Sequence, residues 1–149
     1  MRAWSGQCLQ ILSVRGAIRR STGLIFLLMK FVLITKDTGL VDEARKGFHP
    51  EDELEAFEEW EKGLDACAGA DLLFVELVAT LDTPHKISGY EKFGEAKRSH
   101  DTAATVPLIL VSPEADYELD FMVGWPDFVF ANVRQPVSYK IFRRASTWI

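Results

Sequence analysis

The segment Asp71-Leu72-Leu73-Phe74-Val75-Glu76-Leu77 sets a carboxylate at the end of an apolar run. Such a run fits a central strand of a parallel sheet, covered on both faces. An acid at the C-terminal end of that strand lies where open α/β sheets build their sites. A second apolar run, Lys30–Thr35, leads into Lys36 and Asp37, which would reach the same edge. Lys36 facing Glu76 is one reading, an ion pair worth ~0–1 kcal/mol if exposed. The other leaves both side chains solvated. A third run, Val106–Val111, ends in Ser112, and a serine there commonly bonds to nearby backbone.

Other reactive types are sparse. His85 lies in the loop Asp82-Thr83-Pro84-His85-Lys86, near the presumed edge, where an imidazole can act as a base or accept a phosphoryl group. A lone loop histidine is more often solvent-exposed and idle. His49 and His100 lack spaced partners, so no metal motif is present. Cys8 and Cys67 lie far apart, giving neither a disulfide framework nor a zinc motif, and Cys67 suits a buried apolar position. Thr35-Lys36-Asp37-Thr38-Gly39 holds one glycine, a weak basis for a phosphate loop. No nucleophile elbow occurs.

The elements that must carry these residues alternate. After the strand Lys30–Thr35, Asp37 or Thr38 caps a helix Leu40–Lys46. Gly47-Phe48-His49 is expected as a short second strand. Glu51–Ala68 is expected as a helix, with acids in its first turn and Leu54, Phe57, Trp60, Leu64 and Cys67 as an apolar stripe. The strand Asp71–Leu77 follows, then a long loop, a helix Gly89–Arg98 and the strand Val106–Val111. A short helix Glu114–Met122, a strand Asp127–Ala131 and a helix Pro136–Thr147 complete the chain. Phe121 and Trp148 are expected in the core. This alternation predicts an α/β three-layer fold with right-handed crossovers and a five-stranded parallel sheet in the flavodoxin-like order 2-1-3-4-5.

Composition sets limits on function. The 149 residues, 48% hydrophobic and 26% charged, suit one globular domain. Residues 1–28 carry Arg2, Arg15, Arg19 and Arg20 and no acid, so the other 13 basic residues share the rest of the chain with all 22 acidic ones. A domain that acidic is a poor nucleic-acid binder. The apolar run at Leu24–Met29 is too short to span a membrane. Residues 1–28 are expected to stand outside the fold. Translation from Met29 explains them most simply, and a transit or signal peptide or a structured arm are the other readings. The domain is then 29–149, and a cytoplasmic location is expected.

Several segments, in order, resemble the receiver domains of two-component response regulators, the CheY-like domains. Asp71–Leu77 resembles their third strand, with Glu76 where that family has its phospho-accepting aspartate. Val106-Pro107-Leu108-Ile109-Leu110-Val111-Ser112 resembles the fourth, with Ser112 as the switch Ser or Thr. Ser88-Gly89-Tyr90-Glu91 resembles the start of the third helix. Asp127-Phe128-Val129 resembles the fifth strand, and Gln135-Pro136 stands at a Lys-Pro pair. The resemblance also implies a cis bond before Pro136, although X-Pro bonds are more often trans.

The departures fall on the chemistry that the resemblance implies. Two acids after the first strand should hold Mg²⁺, and Thr35-Lys36-Asp37 offers one. Lys36 brings a cation to the metal's place. Glutamate replaces the aspartate, and Gln135 replaces the lysine, unless Arg134 swings in. The connection from Glu76 to Gly89 is longer than usual for the family. Phosphoryl transfer depends on positioning and charge neutralisation, and little of either is left.

The expectation is therefore a pseudo-receiver: a stand-alone signalling module, not an enzyme, without a cofactor, in which Lys36, Asp37, Glu76, Ser112 and Gln135 form a degenerate phospho-site. It would act by binding protein, such as a histidine kinase or another regulator, or by homodimerising. It would bind neither nucleic acid nor membrane. Tyr117, Trp125 and Tyr139 mark an interface on the face that receivers use for partners. One alternative is an atypical receiver that is still phosphorylated and binds Mg²⁺ through Asp37 and Glu76. Another is a small flavodoxin-like nucleotide-binding protein or enzyme.

Overall fold

A computed structural model describes residues 18–21, 24–83, 86–114 and 129–149. Strands β1 (Ile18–Ser21) and β2 (Leu24–Leu27) pair antiparallel as a separate two-stranded sheet. Strand β3 (Lys30–Ile34) opens the main sheet and leads to helix α1 (Thr38–Gly47), which Asp37 caps by accepting from the Gly39 N–H. Then come β4 (Glu53–Phe57), α2 (Trp60–Asp65), β5 (Leu72–Glu76), a 3-10 turn (Leu77–Thr80) and α3 (Ser88–Ser99). A second 3-10 turn (Ala103–Thr105), β6 (Leu108–Ser112), β7 (Val129–Arg134) and α4 (Tyr139–Ala145) follow. All four pairings of the main sheet are parallel, and its order is β4-β3-β5-β6-β7. Counted along the chain within that sheet, this is the expected 2-1-3-4-5.

Alternation along the central strands builds two cores. Val32, Ile34, Leu73, Val75 and Leu110 face α2 and α3, where they meet Leu64, Cys67 and Phe93. Phe31, Leu33, Phe74 and Ile109 face α1 and α4, where they meet Leu40, Ala44 and Phe142. Every residue of β5 and β6 is buried, which explains why both runs are apolar almost without interruption.

The segment 47–68 departs from expectation. Gly47-Phe48-His49 is not a strand: Phe48 ends α1 and stacks on Phe31, ring centroids 4.0 Å apart. Residues 53–57, expected as helix, form the edge strand β4, in register with β3 from Lys30–Glu53 to Ile34–Phe57. The stripe misled because Leu54 and Phe57, three apart, share a face on a helix but point to opposite faces on a strand. Leu54 packs with the α1–α4 core and Phe57 with the α2–α3 core. Pairing with β3 overrides local helix propensity. The last helix is also shorter than expected, and Trp148, expected in the core, is 37% exposed. The helix expected at Glu114–Met122, with Phe121 in the core, lies almost wholly outside the described residues, and β7 begins at Val129 rather than Asp127.

Two close fits expose the packing to test. Gly47 has no room for a side chain, because a Cβ there would collide with the Tyr139 carbonyl oxygen and crowd Phe142. Gly47→Ala is expected to cost about 1–3 kcal/mol by parting α1 from α4, read from the urea midpoint. Burial pushes the Cys67 thiol up to about 11. In a Cys8→Ser variant, a thiol reagent at neutral pH is expected to label Cys67 only after unfolding.

Candidate functional site

The C-terminal ends of β3, β5, β6 and β7 bring Thr35, Glu76, Ser112 and Gln135 to one edge of the sheet. Glu76 closes β5 and is only 7% exposed, so its carboxylate depends on partners within the protein. Oε1 accepts from the Thr35 hydroxyl at 2.7 Å and the Lys36 backbone N–H at 3.4 Å. Oε2 accepts from the Gln135 side-chain amide at 3.3 Å. Thr35 Oγ1 also accepts from the Asp37 N–H at 3.0 Å, so one hydroxyl joins the start of α1 to the carboxylate.

Of the five residues expected at the site, three meet here. Glu76 and Gln135 meet through side chains, and Lys36 contributes its peptide N–H. The exposed Lys36 ammonium forms no ion pair with Glu76 among the described residues. Asp37 turns to its own helix, with Oδ1 accepting from the Gly39 N–H at 2.8 Å. Ser112 is fully buried and donates to Asn132 Oδ1 on β7 at 2.6 Å. The Arg134 guanidinium donates to the carbonyls of Pro113 and Glu114, at 2.9 and 3.2 Å. The Gln135–Pro136 bond is cis. Beside the edge, an open groove of about 480 Å³ is lined by Asp37, Glu43, Glu114, Gln135 and Pro136.

Sequence reasoning missed Thr35 and Asn132. The signal for Thr35 was a hydroxyl at the end of a buried strand, one residue before the edge under consideration. Asn132 bears on Ser112 only through β6–β7 pairing, which places Ser112 opposite Arg134. Tyr139 donates its backbone N–H to Glu43 Oε1 at 2.9 Å, and Arg143 lies over its ring at 5.1 Å. Tyr117, Trp125 and His85 lie outside the described residues. Among the described residues, no group of three His, Cys, Asp or Glu side chains could hold a metal ion. No helix there is long and apolar enough to cross a membrane.

This order of parallel strands is the flavodoxin-like order, and it is shared with solved structures of response-regulator receiver domains. Similar solved structures include the chemotaxis response regulator CheY4 of Vibrio cholerae, at TM-score 0.61 and 10% identity, over 80% of this chain and 97% of that one. The response regulator DrrB of Thermotoga maritima, an OmpR/PhoB homologue, matches at TM-score 0.58 and 16% identity over 80% of this chain. The match spans only 51% of DrrB. An adenylate cyclase from Rhodopirellula baltica has the same fold, at TM-score 0.59 and 14% identity, over 81% of this chain and 86% of that one. At such identities the likeness is one of fold. No family model matches the sequence, and no curated relative does.

The Thr35 hydroxyl is the shortest of the bonds to Glu76, and its loss leaves a buried carboxylate short of a donor. Thr35→Val is expected to destabilise the domain by about 1–3 kcal/mol, with Thr35→Ser retaining most of the stability. Urea unfolding at neutral pH measures both.

Proposed function

We propose that this chain is a receiver-fold signalling module that works by binding other proteins and without phosphorylation at the third-strand acid. The observation that carries this is the state of Glu76. Both of its oxygens already accept hydrogen bonds from Thr35, Lys36 and Gln135. A phospho-accepting carboxylate must instead offer a lone pair to the incoming phosphorus, with a metal ion neutralising the charge.

The donor set does not fit Mg²⁺. That ion needs oxygen ligands in near-octahedral array, and the groups facing Glu76 are an O–H and N–H groups. The second acid, Asp37, is engaged in capping α1. A side-chain amide at Gln135 satisfies a resting carboxylate but carries no charge to balance a phosphoryl group. The site then serves as a structural tie between strand ends, and regulation passes through contacts with other proteins in the cytoplasm. No catalytic role is assigned, because no nucleophile–base pair accompanies Glu76 among the described residues.

An amide NMR titration with Mg²⁺, followed by beryllofluoride, tests this. The resonances of Asp37, Glu76 and Ser112 are expected to stay in place at millimolar metal. Shifts confined to those residues and growing with beryllofluoride would establish a working phospho-switch instead.

A further inference from the structure

Charge is segregated in this chain. Its net charge is −5, yet residues 129–149 hold four basic residues and no acidic one. Three of the four, Lys140, Arg143 and Arg144, lie on α4 and are exposed. A solvated helix face normally mixes signs, through acid–base pairs three or four residues apart. Helix α4 has no acid with which to do so. Arg143 and Arg144 suit the dipole at its last turn. Lys140 does not, because it stands in the first turn, and it also lies four residues from the like charge of Arg144. Helix stability therefore does not account for the set.

Packing extends the basic surface onto a second helix. Gly47 ends α1 against the Tyr139 carbonyl and Phe142 Cβ, so the end of α1 abuts α4. Arg45 and Lys46, in the last turn of α1, are both exposed there. Two open grooves meet at Arg143. One, of about 500 Å³, is lined by Ser138, Lys140, Ile141, Arg143 and Arg144. The other, of about 510 Å³, runs past Arg45, Lys46, Pro50 and Asp52. Arg143 lies over the Tyr139 ring at 5.1 Å, which fixes its direction where the grooves join. Among the described residues no carboxylate forms an ion pair with Arg45, Lys140, Arg143 or Arg144, whereas Lys46 pairs with Glu43 at 3.1 Å. The acid in the groove wall, Asp52, accepts from the Met29 N–H at 3.1 Å.

We propose that these joined grooves dock an extended segment of another protein rich in Asp and Glu. The proposal rests on the reading of this chain as a protein-binding module, and adds the surface and the chemistry of the partner. Three of the five cations are arginines, whose planar forks match carboxylates two bonds at a time. Two grooves in line suit an extended chain better than one small anion. A nucleic acid fits less well, because its phosphates would continue past the patch onto a protein of net charge −5, with Asp52 facing them. That same net charge makes the test sharp: a polyanion that binds this chain must do so at a local basic site.

An amide NMR titration of the full chain with a short synthetic oligoglutamate peptide tests this. Shifts are expected at Arg45, Lys46, Arg143 and Arg144, with an affinity that falls as salt is added. Arg143→Glu/Arg144→Glu should weaken binding at least about tenfold. Lys62→Glu/Lys92→Glu makes the same change of net charge on α2 and α3 and should bind as the unaltered chain does. Circular dichroism melts establish that the variants are folded. Absence of shifts at the α1 and α4 ends, equal weakening by both pairs of substitutions, or tighter binding of a DNA duplex or of phosphatidylserine vesicles would each overturn the proposal. If the arginine variant does not fold, the shifts of the unaltered chain and the DNA and vesicle comparisons decide alone. The reading of Glu76 stands or falls separately, on the Asp37, Glu76 and Ser112 resonances under Mg²⁺ and beryllofluoride.

Discussion

A carboxylate that ends a strand buried on both faces must receive its hydrogen bonds from whatever the neighbouring strands deliver. Glu76 is that group, and the upper edge of the sheet is organised around it. The Thr35 hydroxyl comes from the strand on one side. The Gln135 amide comes from the loop after β7, whose backbone N–H bonds to the Ser112 carbonyl at 2.9 Å. A hydrogen bond to a charged group contributes ~1.5–3 kcal/mol, so the set of donors helps to hold the strand ends in register. The chemistry of the edge follows from the same accounting. On the function proposed above, a carboxylate already satisfied from within by neutral donors does not recruit a metal ion.

The lower edge follows a different logic. Lys30 starts β3 and Asp71 immediately precedes β5, and they exchange bonds there: the Lys30 N–H donates to Asp71 Oδ2 at 2.9 Å, and the Asp71 N–H donates to the Lys30 carbonyl at 2.8 Å. Around that seam the surface is charged. The seating of Gly47 under Tyr139 brings the two helix ends close enough to pool their basic residues. Packing required by the core thus creates an electrostatic feature at the surface.

The central strands were legible because burial on both faces leaves runs such as Leu72–Val75 and Leu108–Val111 no alternative to a covered sheet. The residues 51–68 were not, since Leu54, Phe57, Trp60 and Leu64 fit a helical stripe as well as they fit a strand, a bend and a helix. At the site, Glu76 and Gln135 could be named from their places at strand ends. The direction of Lys36 could not, because an ammonium on a flexible stem gains little by leaving water for an exposed pair.

By itself, the order of apolar runs and polar breaks determined the sheet, its sequence of strands and the edge where polar groups gather, because burial is a property that each residue carries with it. Only the tertiary structure decided which donors reach Glu76, which way Asp37 and Ser112 turn, and that Arg45 and Arg143 share one groove. Those outcomes depend on the relative positions of segments far apart in the chain, Thr35 with Glu76 and Gly47 with Tyr139, which local preference cannot specify.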